Sequence, residues 1–274
     1  MERFVYMSGH SKWATTKHRK FAQDAKRSAL FSKLSRNITV AAREGNDPNP
    51  ENNASLAAAV EKAKANSLPK DKIKTAIDKA FGSGKDAANY ETVQYEGYGP
   101  AGVAIFCEAL TDNRNRTAAD VRSAFTHAGG SLGTSGSVSF QFERKGQIMV
   151  AKEIETGDKK NPIGPNGAAA DEDEFMMAVA EAGGDDYEDA GEEWVVWTAY
   201  DKMQDVQKAL EAQGIEVKGS ELTMVPTTPT TVTVADAKKV QRLVDRLEEL
   251  EDVQNVYHTM DVTDEIAAAL EEDE

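Results

Sequence analysis

Ten of the first 45 residues are Lys or Arg and only three are Asp or Glu, a density of cations that suits a polyanion better than a reacting centre. Within that run Lys12, Lys17, His18, Arg19, Lys20, Lys26 and Arg27 are the candidate phosphate contacts. On a helix, Arg19 and Lys26 stand seven positions apart and share a face, and Lys20 and Arg27 repeat the pairing one step around. Such a stripe tracks a phosphate backbone and displaces its counterions. Trp13, beside Lys12, either stacks on a base or packs against Phe21, and the sequence leaves both open. His10 and His18 can meet phosphate, but neither has a partner at metal-ligand spacing, so no metal is expected.

A second anion contact can come from Arg114 and Arg116, in a polar loop that precedes a helix. The plainer reading is a turn in which Asp112 and Asn113 bond the backbone. Gly129–Gly136 is glycine-rich enough for a nest of amides around a phosphate. It lacks the Gly-Lys-Ser/Thr ending of a nucleotide loop and reads better as a flexible connection. Raw material for an enzyme exists in Glu172, Asp173 and Glu174, in Asp185 and Asp186, and in His127 and His258. Adjacent acids at a helix start are usually caps and solvated charge. No nucleophile with its base, no metal spacing and no cofactor loop emerges, so the chain is expected to be non-enzymatic, without cofactor or small-molecule substrate.

The net charge of −15 argues against nucleic acid until its distribution is read. Residues 1–85 carry 17 Lys/Arg against 8 Asp/Glu, and the remainder carries 15 against 39. That asymmetry suggests a front domain that meets a polyanion while two acidic α/β domains are held clear of it. A chain of 274 residues with 40% apolar content fills two or three cores. The apolar run Val103–Cys107 is far too short to span a membrane, and Met1–Met7 has no secretory apolar core. A single cysteine, Cys107, forms no internal disulfide. These features lead to an expectation of a cytoplasmic protein with no membrane partner.

The elements that must position these residues follow from periodicity. Residues 14–82 read as helices: Phe31, Leu34, Ile38 and Ala41 form one stripe, with a bend expected near Ser28 and a stop at Gly45. Asn46–Pro50 is a turn. Leu56, Ala59, Val60 and Ala63 mark a second helix, and Ile73, Ala76, Ile77, Ala80 and Phe81 a third that begins at Pro69 and ends at Gly82. Residues 83–90 read as a linker. Beyond it come a strand at Val103–Ala109 and a helix capped by Thr117. Strand-like pieces follow at Val138–Phe142 and Gln147–Val150. A helix Glu174–Ala182, a strand Trp194–Tyr200 and a helix capped by Asp201 come next. The pattern closes with Ile215–Val217, a helix capped by Asp236 and a strand Val253–Tyr257. Two helices against one sheet, twice over, make two α+β sandwiches. No glycine fingerprint follows the first strand, which disfavours a doubly wound dinucleotide fold. Thr156–Ala170 reads as a surface loop, and residues 263–274 as an acidic tail.

Several long motifs resemble the YebC/PmpR family. They are Gly9-His10-Ser11-Lys12-Trp13-Ala14, Lys17-His18-Arg19-Lys20, Gln23-Asp24-Ala25-Lys26-Arg27, Ala41-Ala42-Arg43-Glu44-Gly45, Leu68-Pro69-Lys70-Asp71, Tyr95-Glu96-Gly97-Tyr98-Gly99-Pro100, Leu110-Thr111-Asp112-Asn113-Arg114-Asn115-Arg116-Thr117 and Gly136-Ser137-Val138. The resemblance implies an α+β multidomain protein: an N-terminal helical bundle followed by two α/β sandwich domains, the third inserted in the second. Expected boundaries are 1–85 for the bundle, 86–150 with 235–262 for the discontinuous domain, and 151–234 for the insertion. Family members are described as DNA-binding transcriptional regulators, whereas some, with the mitochondrial translational activator of cytochrome c oxidase, act in translation on the ribosome. The chain departs from the family at Met1–Tyr6, which makes Met7 a candidate initiator, at Thr15-Thr16 and at Thr156–Ala170. The expectation is a nucleic-acid-binding regulator of gene expression. Its target is DNA with the transcription machinery or, alternatively, ribosomal RNA on the ribosome.

Overall fold

The computed structural model describes residues 24–82, 90–158 and 161–271, with backbone alone for residues 24–27 and 271. Three helices come first: α1 (Asp24–Glu44), α2 (Ala54–Ala65) and α3 (Lys70–Phe81). Their stripes close on one another as a core of Leu34, Ile38, Ala42, Leu56, Val60, Ala63, Ile73 and Ala76. Asn53 fastens the first corner. Its Oδ1 accepts the Leu56 amide at 3.0 Å and caps α2, while its Nδ2 donates to the Ala41 carbonyl at 2.9 Å. Thr39 Oγ1 donates to the Ala76 carbonyl at 2.9 Å and ties α1 to α3. The bend expected near Ser28 is absent, and α1 runs through it unbroken. No Gly or Pro lies between Asp24 and Glu44, so nothing in the backbone chemistry forces a kink there.

The chain divides into two compact units, one built from Arg19–Ser139 with Val232–His258, the other including Phe140–Thr231 and Thr259–Glu274. In the first, β1 (Glu91–Tyr98), β2 (Ala104–Thr111), α4 (Arg114–His127) and β3 (Ser131–Leu132) are followed, after the excursion into the second unit, by α7 (Val234–Glu248) and β10 (Val253–His258). The sheet is antiparallel, ordered β10-β2-β1-β3. Helices α4 and α7 pack on each other and on the sheet. Gly97 is required at the β1–β3 crossing, because an added Cβ would stand 2.5 Å from the Ser131 carbonyl and 2.7 Å from the Phe125 ring. Strand β1 itself was not expected, since Glu-Gly-Tyr-Gly-Pro reads locally as a turn. Pairing along all eight positions with β2 overrides that preference.

Two caps of this unit differ from expectation. Helix α4 starts at Arg114 with Asn113 accepting the Arg116 amide at 3.1 Å, three residues before Thr117. Helix α7 starts at Val234 under Thr233, whose Oγ1 accepts the Asp236 amide at 3.2 Å and donates to the Asp236 carboxylate at 3.0 Å.

The second unit has the central strand β4 (Phe142–Ala151) paired antiparallel with β8 (Glu193–Ala199) and β9 (Gly219–Pro226), and β7 (Asp186–Asp189) lies outside β8. Helices α5 (Glu172–Ala182) and α6 (Met203–Ala212) bury Phe175, Val179, Val206 and Leu210 against Ile148, Val150, Trp194 and Val196. Gly183 closes α5 in the left-handed region at φ 86°, where glycine carries no Cβ penalty. Helix α6 starts at Met203 with no side-chain cap from Asp201. Ile215 is buried in the core, and the strand expected at Ile215–Val217 forms later, as β9. The supposed loop at Thr156–Ala170 contains half of a hairpin, β5 (Glu153–Glu155) with β6 (Ile163–Pro165). Of the supposed acidic tail, Asp264–Glu271 is helix α8, because Ile266 and Leu270, four apart, are both buried.

Candidate nucleic-acid interface

Of the candidate contacts, Lys12, Trp13, Lys17, His18, Arg19 and Lys20 lie outside the described residues. Lys26 and Arg27 fall in the opening of α1, where the backbone alone is described. The structure adds cations downstream. Burying Ile73, Ala76 and Ala80 leaves the rest of α3 to solvent, and Lys70, Lys72, Lys74 and Lys79 are exposed there, with Lys62 and Lys64 exposed on the last turn of α2. Lys64, Lys70, Lys74 and Lys79 have no ion pair among the described residues. Lys72 rests over the Phe31 ring, Nζ 5.4 Å from its centre. The exposed acids on the same two helices are Glu61, Asp71 and Asp78.

The charge separates by unit more sharply than by chain order. Arg19–Ser139 with Val232–His258 carries 21 Lys/Arg against 19 Asp/Glu, whereas Phe140–Thr231 with Thr259–Glu274 carries 8 against 27. Without the bundle, the α/β part of the first unit, residues 86–139 with 232–258, holds 7 Lys/Arg against 12 Asp/Glu, so both α/β parts are acidic and the second is the more so.

Arg114 and Arg116 are held differently from the expectation that paired them on an external anion. Arg116 Nη2 lies 2.8 Å from Asp112 Oδ1 and 2.8 Å from Asp252 Oδ2. Those carboxylates, Asp252 foremost, push its guanidinium pKa up. Arg114, largely exposed, stands 3.6 Å from Glu91. Asp252 is the centre of a network. Its Oδ2 also accepts from Thr117 Oγ1 at 2.7 Å and Thr111 Oγ1 at 3.2 Å, and its Oδ1 accepts from Arg36 Nη1 at 3.0 Å. Burial by itself raises the Asp252 pKa, but Arg116, Thr117 and Arg36 outweigh it and hold the carboxyl below its ordinary value.

The glycine-rich segment after α4 does form a ring of amides, and a carboxylate of the protein fills it. Gly136 N donates to Glu96 Oε1 at 2.7 Å, and Val138 N and Ser139 N donate to Oε2 at 2.7 and 2.8 Å. Glu96 is 4% exposed. Burial raises its pKa, yet the three amides prevail and leave it lowered. An external phosphate has no place in this nest while Glu96 occupies it.

The acids once weighed for catalysis are spread along the opening turn of α5 and around β7, where Asp171 caps the amides of Asp173 and Glu174 at 3.1 Å each. Among the described residues no cluster of His, Cys, Asp or Glu is placed to hold a metal ion, and no helix is long and apolar enough to cross a membrane. Cys107 is fully buried, and burial pushes its thiol pKa up, away from reactivity.

Two family models cover most of the chain: the TACO1/YebC N-terminal domain matches residues 11–83, and the TACO1/YebC second and third domain matches residues 90–260. The chain belongs to the TACO1/YebC family. A relative from Rubrobacter xylanophilus is 47% identical over 96% of this YebC-family chain and 98% of its own length, and one from Cutibacterium acnes is 47% identical over 98% and 100%. Both bear the name probable transcriptional regulatory protein. The crystal structure of a conserved hypothetical protein from Aquifex aeolicus, 38% identical, superposes with a TM-score of 0.73 over 88% of this chain and 93% of that one.

Arg36, Glu96 and Asp252 of this family member are not marked by their local sequence. Arg36 lies off the apolar stripe of α1, and its carboxylate partner is 216 positions away. Glu96 carried no local signal, since β1 also holds Glu91 and Gln94, both exposed, and only the fold buries Tyr95, Glu96 and Gly97 together. Asp252, in the turn between α7 and β10, carried none.

Proposed function

We propose that this YebC-family chain is a regulator of gene expression that docks on nucleic acid, DNA first, through the cationic side of its helical bundle. The observation that carries this is the exposed lysine set Lys64, Lys70, Lys74 and Lys79, without ion pairs among the described residues, in a chain whose first 45 residues already hold ten Lys/Arg. Solvated surface lysines are common, and each alone says little. Their concentration in one unit of a chain of net charge −15 is what favours a polyanion. The names borne by the relatives agree with this reading.

Binding is sequence-independent at its core, because it rests on phosphates rather than base edges. Fluorescence anisotropy of the full chain with a labelled DNA duplex, across a range of KCl, tests it. The logarithm of affinity should fall linearly with the logarithm of salt, and Arg19→Ala with Lys20→Ala should flatten that slope by about two while the circular dichroism spectrum stays unchanged. An unaltered slope in that variant removes the N-terminal run from the interface. Co-sedimentation with ribosomes, combined with no retention on duplex DNA, would replace DNA by ribosomal RNA as the target.

A further inference from the structure

The helical bundle closes its own core. Every buried residue of that cluster falls between Leu34 and Ala80, on α1, α2, α3 and the turn before α3, and none comes from the sheet. Apolar packing of the cluster therefore does not set how the bundle stands on the rest of its unit. Polar contacts from one face of α1 do. Lys33 Nζ donates to the Glu248 carbonyl at 2.6 Å. Arg36 Nη1 donates to the carbonyls of Leu110 at 3.1 Å and Glu251 at 2.8 Å, and to Asp252 Oδ1 at 3.0 Å. Its guanidinium also lies over the Tyr90 ring, 5.2 Å from the centre.

Asp252 is fixed from the other side by Arg116, Thr111 and Thr117, and its own carbonyl accepts the Leu110 amide at 2.8 Å. The Arg36 and Asp252 side chains are 12% and 8% exposed, so their pair is largely withdrawn from water. A buried ion pair adds little net stability over an apolar substitute, because desolvation offsets attraction. What it does supply is direction, since two carbonyls and a carboxylate converge on the one nitrogen Nη1 and share its two hydrogens, while the guanidinium rests over the Tyr90 ring.

The geometry points to Asp252 as a positioning residue: through Arg36 it holds the basic bundle in one orientation on the α/β part of the unit. That fixes the proposed phosphate contacts of the bundle relative to the cations of α7. Helix α7 presents Arg242 and Arg246, four apart and exposed, with no ion pair among the described residues. Arg246 lies in the last turn of that helix, whose final carbonyl, at Glu248, is the one that Lys33 holds. Two cationic patches in fixed relation bind one polyanion more tightly than the same patches on a freely swivelling joint, because the second contact no longer has to be ordered. This inference rests on the nucleic-acid reading above for its purpose, though not for its geometry.

The test uses the full chain with Ala58→Cys on α2 and Ala119→Cys on α4, both exposed positions. Spin labels are attached there, and the buried Cys107 stays unlabelled. The expected result is one narrow inter-label distance in the parent and a broad distribution in Arg36→Met and in Asp252→Asn. Arg36→Met is the cleaner variant, because Arg116, Thr111 and Thr117 still satisfy Asp252. Anisotropy with a DNA duplex and with an RNA hairpin of matched charge gives the second readout. Both variants should bind roughly tenfold more weakly, with the salt slope nearly unchanged because the phosphate contacts survive.

The sign of the Asp252→Asn effect is decisive. Removing a negative charge from a polyanion binder should by simple electrostatics tighten binding, whereas loss of positioning weakens it. A narrow distance in Arg36→Met, or tighter binding by Asp252→Asn, overturns the inference. If the parent binds neither nucleic acid, the functional reading falls, and the distance measurement still decides whether Asp252 sets the orientation of the bundle.

Discussion

The two units of this chain share an architecture, two helices packed with a four-stranded antiparallel sheet, and treat their carboxylates in opposite ways. In the unit that bears the bundle, the acids that matter are buried and answered: Asp252 by two arginines and two threonines, Glu96 by three backbone amides. In the other unit most stand at the surface. Asp189, about half exposed, meets Lys152 at 2.7 Å, and Glu172, Asp173 and Glu174 crowd the exposed first turn of α5. One fold therefore carries two electrostatic programmes, and only side chains distinguish them. In the first unit two carboxylates, Glu96 and Asp252, hold structure from the interior, and the exposed acids, Glu61, Asp71 and Asp78 among them, share the surface with a larger number of cations. In the second, negative charge faces outward, and that surface repels a polyanion.

The largest expected effect tests that contrast directly. Asp252→Ala strands Arg36, 12% exposed, beside a site that loses its central acceptor, and should lower the unfolding free energy by about 3 kcal/mol, while Arg116, half exposed, keeps Asp112. Asp189→Ala, which breaks an exposed pair of similar length, should cost less than about 1 kcal/mol. Urea denaturation of the two variants beside the parent measures both. Equal losses would mean that the carboxylates of the two units are held alike, and the comparison would fail.

How far the sequence announced this arrangement depends on the range of the interactions. Helices α2 and α3 were legible because Leu56, Val60 and Ala63, then Ile73, Ala76 and Ala80, repeat at the helical period and fill one core. The sandwich architecture was legible from helices alternating with strands. Strand β1 was not, since Gly97 and Pro100 argue for a turn until β2 pairs with it. Nor was the hairpin of Glu153–Glu155 with Ile163–Pro165, whose short strands sit in a Gly- and Pro-rich segment. The basic run could be named from composition, but the partner of Arg36 could not. Nothing local to Asp252 marks it, and the chain must complete α7 before that carboxylate reaches α1. Arg116 was legible in part: Asp112 and the Asn113 cap are local to it, whereas Asp252, its second carboxylate, comes from the far end of the unit.

Acid titration sharpens the same comparison at an intermediate magnitude. Glu96 and Asp252 both have pKa values below their ordinary ones in the folded protein. A depressed carboxylate contributes stability that is fully present above its unfolded pKa and is lost as pH falls through the lower folded value. The loss should therefore appear below about pH 4. Glu96→Gln should flatten the stability profile in that window and leave one amide of the nest facing an NH2 group, at a cost of about 1–3 kcal/mol near neutrality. Denaturant midpoints measured from neutral pH down to the acid limit provide the check. If the parent and Glu96→Gln lose stability in parallel below pH 4, the amide nest is not what holds Glu96 ionised.

The smallest effect on stability should accompany a clear effect on binding. Lys70→Ala with Lys74→Ala removes two exposed cations from α3, where alanine is the better helix former, so unfolding free energy should change by less than about 0.5 kcal/mol. The same variant should reduce the salt slope of duplex binding by about two. The matched control is Lys202→Ala with Lys208→Ala around α6, two cations of the acidic unit, which should leave both quantities alone. Stability and binding then separate within one unit, since Asp252 governs the first strongly and the α3 lysines govern only the second. A slope that falls equally in the α6 control would mean that both units meet the nucleic acid, and that the surplus of carboxylates on the second does not keep it away.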